Sequence, residues 1–202
     1  MIRRLALAAA LTLATAPVFA VTYTLDPAHT QVVFSWNHFG YSNPSAQLHK
    51  VAGTLEFDQA NPTKSSVSVT IPLSSINSNT PKLDQDLESN NYFDVAKYPD
   101  ATFKSTKVEK GAAKDKLKVT GDLTLHGVTK PVVLNVTINK VGEHPMRKAP
   151  TAGFDATTTI KRSEFGITRL APMVSDEIKI HITSEAIEAK AYAEGMKPAP
   201  KS

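Results

Sequence analysis

Residues 116–140 read KLKVTGDLTLHGVTKPVVLNVTINK, a run that leaves one reasonable local structure. Leu117, Val119, Leu123 and Leu125 alternate with Lys118, Thr120, Asp122 and Thr124. After a short break, Val132, Leu134, Val136 and Ile138 alternate with Val133, Asn135, Thr137 and Asn139. A period of two over this length is a pleated strand with one apolar face and one wet face. His126-Gly127-Val128-Thr129 separates the two runs, and Gly127 can supply the positive φ of a tight reversal. Pro131 then opens the second strand, where a missing N–H is tolerated. The expectation is a long antiparallel hairpin. Gly121 falls on its apolar face, leaving room for a ligand or a bend.

The rest of the chain repeats the pattern. Residues 21–26 form a first short strand, and Asp26-Pro27-Ala28-His29 a turn. Residues 30–39 put Val32, Phe34, Trp36 and His38 on one face, and residues 47–58 put Val51, Gly53, Leu55 and Phe57 in phase. Residues 65–73 alternate most cleanly, with Val67, Val69, Ile71 and Leu73 opposite Ser66, Ser68 and Thr70. The period changes at residues 81–89: Thr80 suits a cap, Pro81 the first helical position, and Leu83 and Leu87 stand four apart. Tyr92-Phe93 then returns an apolar plug to the body. Strands resume at 101–110 (Phe103), 152–161 (Phe154, Ala156, Thr158, Ile160) and 176–189 (Ile178, Ile180, Ile182), with a polar loop at 142–151 and a turn at 162–167. Residues 191–202 read as a flexible polar tail, or as the end of a short helix near 186–193. About eight long strands, one short helix and hairpin-length connections describe an all-β chain. Its strands close more readily into one antiparallel barrel than they stack as a sandwich.

The amino terminus has a different character. Arg3 and Arg4 precede an apolar run at 5–16, too short to span a bilayer comfortably, and Val18-Phe19-Ala20 matches what a signal peptidase reads. Residues 1–20 are therefore expected to be an export signal cut after Ala20, leaving residues 21–190 as one barrel domain. Removing that segment takes two arginines and no acidic residue from 23 basic and 19 acidic side chains. The resulting net charge of +2 over 182 residues makes no case for nucleic-acid binding. There is no cysteine, which excludes disulfides, thiol catalysis, attached c-type haem and a lipoprotein anchor together. The expected compartment is the periplasm.

The two strand faces separate two kinds of barrel. A membrane barrel turns its apolar face outward, yet the polar face here carries Lys116, Lys118, Asp122, Lys179 and His181, each costing a few kcal/mol against lipid. The apolar face therefore points inward. It lines the lumen with Phe34, Trp36, Leu55, Phe57, Val69, Ile71, Phe103, Leu123, Val136, Phe154 and Ile180, with Phe93 from the plug and His38 near a mouth. An ordinary packed core is the plainer reading and a ligand tunnel the sharper one, and pattern alone does not separate them. The six histidines show no metal-motif spacing, and there is no phosphate loop or nucleophile elbow. Asp122, His126 and Arg162 are the polar candidates if the chain acts on a ligand, although Asp122 falls on the outward face.

Four stretches carry a resemblance: LDPAHTQVVFSWNHFG (25–40), ESNNYFDVAKYPDATFKSTKV (88–108), GDLTLHGVTKPVVL (121–134) and IKRSEFGI (160–167). In this order they resemble the YceI family. The resemblance implies a lipocalin-like barrel, exported to the periplasm. Its elongated pocket would hold a polyisoprenoid such as an isoprenoid quinone, or another long amphiphilic lipid, with no covalent cofactor. It also implies a binding or carrier protein rather than an enzyme, often dimeric, with transient membrane contact. One segment departs from the family's pattern: YSNPSAQLHKV (41–51) is longer and more polar than usual, which bears on one pocket rim.

Overall fold

The computed structural model describes residues 20–195. The expected export signal falls, but for Ala20, outside them, as does the tail from residue 196 on. Ten strands make up the body: β1 (Val21–Leu25), β2 (Gln31–Ser35), β3 (Ser45–Leu48), β4 (Ala52–Phe57), β5 (Ser66–Pro72), β6 (Asp100–Lys110), β7 (Lys116–Leu125), β8 (Val128–Glu143), β9 (Pro150–Lys161) and β10 (Glu177–Glu188). Helices α1 (Pro81–Glu88) and α2 (Ala189–Gly195) complete it. All pairing is antiparallel, in the order β1-β4-β5-β6-β7-β8-β9-β10, and β1 pairs back onto β10 to close an eight-stranded barrel. β2 and β3 are extra strands that extend the wall. β10 holds β1 through Ala186–Glu188 and β2 through Lys179–Thr183, so β1 and β2 lie end to end along one edge.

Alternation places the core. In β7, Leu117, Val119, Gly121 and Leu125 are buried while Lys118 and Asp122 face solvent. Val132 in β8 and Ala152, Ala156 and Ile160 in β9 are likewise buried. Each large apolar side chain turned inward contributes about 1.5–3 kcal/mol, so shifting a strand by one residue would expose its whole inward set.

The structure corrects several boundaries. The central reversal takes two residues, not four: His126 (φ 51°) and Gly127 (φ 74°) form the turn, and Val128 and Thr129 join β8. Both central residues at positive φ match the right-handed twist of the flanking strands. Pro131 lies inside β8 opposite Asp122, where its nitrogen points away from β7; pairing with β9 begins only at Asn135, so no ladder bond is lost. The expected loop at 142–151 shrinks to 144–149, because β8 and β9 remain paired to Glu143 and Pro150 past an irregularity between Ile138 and Lys140. The single strand expected at 47–58 is two, broken where Lys50 takes φ 55°. The strand at 30–39 stops at Ser35, and Phe39 and Gly40 turn at positive φ.

Thr80 stands at the helix boundary without a side-chain cap; its carbonyl accepts from Leu83 and Asp84, while the Asp84 carboxylate reaches back to the Ser78 N–H at 2.7 Å. Residues 191–195 belong to α2, so the tail expected from 191 does not hold for them.

Candidate functional site

The barrel encloses apolar space in two chambers. The larger, about 500 Å³, is walled by Val32 and Phe34 of β2, Trp36 and His38 beyond it, Leu83 and Leu87 of α1, Phe93, and Ile178 and Ile180 of β10. The smaller, about 200 Å³, is walled by Leu55 and Phe57 of β4, Val67 and Val69 of β5, Phe103 of β6, Val136 of β8 and Phe154 of β9. Val32, Ile71, Leu123 and Ile180 border both and form a shared waist. Together they fall within the 300–1,000 Å³ of small-ligand sites.

Aromatic side chains shape each chamber. Phe34 stacks on Trp36 with ring centroids 5.8 Å apart, and Phe93 meets Phe34 edge-on at the same separation. In the smaller chamber Phe57 meets Phe154 edge-on at 5.6 Å. Such pairs fix ring orientation as well as adding area. α1 comes down on the wide end because Leu83 and Leu87, four residues apart, share a face, and Phe93 N–H donates to the Leu87 carbonyl at 3.0 Å.

All thirteen residues that the sequence places around a lumen lie on these walls. Phe34, Trp36, His38 and Phe93 border the larger chamber; Leu55, Phe57, Val69, Phe103, Val136 and Phe154 the smaller; Ile71, Leu123 and Ile180 both. Gly121 does not line ligand space. The room it leaves is occupied by the ring of Phe103, two residues along the facing strand, whose Cζ would lie 2.4 Å from an added Cβ.

Sequence reasoning did not place Leu83, Leu87, Ile167, Leu170 or Val174 on the lumen wall, and all border the larger chamber. The four-residue spacing of Leu83 and Leu87 marks an apolar helix face, but not what that face covers. Arg162, one of the polar candidates, lies where a charged turn residue ordinarily does not. It also borders this chamber, yet its side chain is only 5% exposed. Its Nε donates to the Ser175 carbonyl at 2.9 Å, Nη1 to Ile167 at 3.0 Å and Nη2 to Val174 at 2.8 Å. These bonds tie the segment after β9 to the segment before β10. Outside, Asp176 receives the Ser163 N–H and hydroxyl, each at 2.8 Å. Its slight burial opposes ionisation, but those two bonds and the Arg162 and Lys161 charges outweigh it and hold the carboxyl below its ordinary value.

The polar candidates do not converge. Asp122 faces solvent on the outer wall. The His126 ring sits in the hairpin turn, its Nδ1 3.0 Å from the Phe165 carbonyl and its centroid 4.8 Å from that of the Tyr98 ring, in an edge-type pair. Ligand atoms of Asp26, His29 and Glu185 lie within 4.8 Å of one another, but Arg147 already supplies the cation there, its Nη2 2.9 Å from Asp26 Oδ2.

An elongated apolar lumen in an antiparallel barrel, walled by aromatics and closed by a short helix, defines a lipocalin-like class. The YceI-like domain family matches residues 23–186, and the chain belongs to that family. A UPF0312 protein from Pseudomonas syringae pv. tomato is 38% identical over 188 residues, covering 92% of this chain and 96% of the relative. Among solved structures, Burkholderia cenocepacia BcnA superposes with a TM-score of 0.71 at 26% identity, over 80% of this chain and 98% of its own. A polyisoprenoid binding domain from Saccharophagus degradans, implicated in plant cell wall breakdown, superposes with a TM-score of 0.65, over 83% of this chain and 99% of its own. At 14% identity that likeness is one of fold.

Proposed function

We propose that this protein is a periplasmic carrier that holds one long-chain polyisoprenoid, an isoprenoid quinone or a related amphiphilic lipid, across both chambers. The observation that carries this reading is the lumen: two apolar chambers meeting at a waist of four aliphatic side chains suit a chain, not a compact ligand. The polyisoprenoid binding described for the Saccharophagus domain supports the same ligand class. A buried methylene contributes about 0.8 kcal/mol, so each five-carbon isoprene unit supplies up to roughly 4 kcal/mol. Four units, roughly 16 kcal/mol, then outweigh association costs of about 4–15 kcal/mol. The export signal expected over residues 1–20 supports the periplasm as the compartment.

Contact with a membrane fits the mouth. Phe39, Tyr41, Leu170 and Met173 are exposed, Tyr41 by 93%. They sit on two loops joined by the Phe39 N–H to the Met173 carbonyl at 2.9 Å, and His38, Ser42, Leu170 and Val174 of these loops border the larger chamber. An apolar and aromatic surface beside the larger chamber suits transient docking on a bilayer surface.

The test is to export the protein in a bacterial host, purify it without detergent and extract it for lipid mass spectrometry. One isoprenoid lipid per chain is the expected result. An empty barrel that also refuses added ubiquinone overturns the carrier reading. Retention left unchanged by both Trp36→Ala and Phe57→Arg would show that the lipid lies elsewhere.

A further inference from the structure

Resting on the carrier reading, we infer that Arg162 is the head-group anchor of the lumen, and that the chain it selects ends in an anionic oxygen group such as a carboxylate. A guanidinium has five N–H donors. Three of those of Arg162 reach backbone carbonyls, one from each nitrogen. Two N–H groups, one on each terminal nitrogen, are left over on a residue that borders the larger chamber. Among the described residues, no carboxylate forms an ion pair with Arg162. Asp176 acts on it from outside, with its own oxygens engaged by Ser163.

A backbone clamp explains three of the donors and not the other two. A hydrocarbon tail laid against Arg162 would offer them no acceptor, which is the costly way to bury a charged donor. An oxygen head restores both bonds, and an anionic one also offsets a buried charge whose three partners are neutral. This sets the direction of the ligand. The head lies in the larger chamber beside Arg162, and the tail crosses the Val32–Ile71–Leu123–Ile180 waist into the smaller one. Asp86 is the carboxylate on the same chamber lining, its Oδ1 3.3 Å from Asn91 Nδ2. A head bearing a single negative charge therefore suits the chamber better than a multiply charged one.

The experiment compares two probes with the same C20 isoprenoid chain, geranylgeranoic acid and geranylgeraniol. Calorimetry at pH 8 reads binding, with emission from the single tryptophan, Trp36, as a second signal from inside the chamber. The wild type is expected to prefer the acid by about tenfold or more, the ratio that 1.4 kcal/mol produces. Arg162→Met is expected to bind both probes alike, a change in selectivity that a purely structural role would not produce. Equal binding of acid and alcohol by the wild type overturns the inference while leaving the carrier reading intact. Failure to bind either probe overturns both. If Arg162→Met does not fold, the wild-type ratio still decides, and Arg162→Lys, which keeps the charge, is expected to retain part of the preference.

Discussion

Replacing Gly121 with alanine tests how tightly the wall of the smaller chamber is built. The new methyl would stand 2.4 Å from Phe103 Cζ, 2.7 Å from Cε2 and 2.6 Å from the Lys104 carbonyl oxygen. Ordinary contact begins at 3.4 Å, so the ring must retreat by the difference between 3.4 and 2.4, about 1.0 Å. The ring can move only toward the lumen that it lines. The carbonyl belongs to β6, which is laddered to β7 on both sides of this point, and it cannot retreat without disturbing that pairing.

Overpacking of this kind costs about 1–3 kcal/mol. The stiffer unfolded chain returns roughly 0.4–1 kcal/mol. A net loss of about 1–2 kcal/mol follows, which for a domain of this size lowers Tm by roughly 2–8 °C. Gly142→Ala is the control, because nothing lies within 4 Å of its added carbon; it is expected to match or slightly exceed the wild type. Urea unfolding followed by Trp36 fluorescence and thermal unfolding followed by circular dichroism measure both variants. If Gly121→Ala unfolds with Gly142→Ala, Phe103 does not rest on Gly121 and the description of this wall fails.

Three further outcomes are expected. Burial of Asp26 opposes ionisation, but bonds from His29 and the Ala28 N–H and the Arg147 charge together outweigh it and hold the carboxyl below its ordinary value. Its contribution is therefore present above the unfolded value of about 3.9 and lost as pH falls through the lower folded one. Asp26→Asn should cost about 1–3 kcal/mol at pH 7, with the gap narrowing as pH falls below the unfolded value; a pH series of urea titrations measures it, and an unchanged gap refutes it. Gly127→Ala meets both the φ of 74° and Tyr98 Cε1 at 2.5 Å, so thermal unfolding should show a loss of at least about 1–2 kcal/mol. Leu123→Trp places bulk in the shared waist and should shorten the longest isoprenoid retained, read by mass spectrometry of lipids co-purified with the variant.

The lumen was legible because its residues obey one local rule. Val67, Val69 and Ile71 announce an inward face by their spacing, and Phe34, Phe103 and Ile180 do the same. What the spacing cannot convey is where a face is interrupted. Lys50 reads as an ordinary polar position, yet its backbone enters the left-handed region and splits one expected strand into β3 and β4. Thr80 invites a side-chain cap, but Asp84 forms the bond that matters, to Ser78. Arg162 stands out as a polar candidate, but its burial was hidden for a different reason. A charged residue in a turn ordinarily faces water, and only the tertiary return of residues 167–175 brings three carbonyls around this guanidinium. Its role depends on contacts distant in the fold, which no local period records.

The end-to-end placement of β1 with β2, and of β3 with β4, leaves the barrel with one weak seam. Along β6 to β10 neighbouring strands are joined by long ladders, with one irregularity in β6–β7 and one in β8–β9. Beyond β2, the outer edge of β3 meets the rest of the wall at Gln47 and Asn77, through two backbone bonds of 2.9 Å, helped by the Ser75 hydroxyl bridging to His49. Leu48 and Leu73, on either side of this seam, border the larger chamber. Local opening follows the fewest bonds broken, so the wall should part here before the closure between β1 and β10 is disturbed. Amide exchange at Gln47 and Asn77 should then run ahead of exchange at Leu123 and Val136, giving the chamber a lateral fissure besides its mouth.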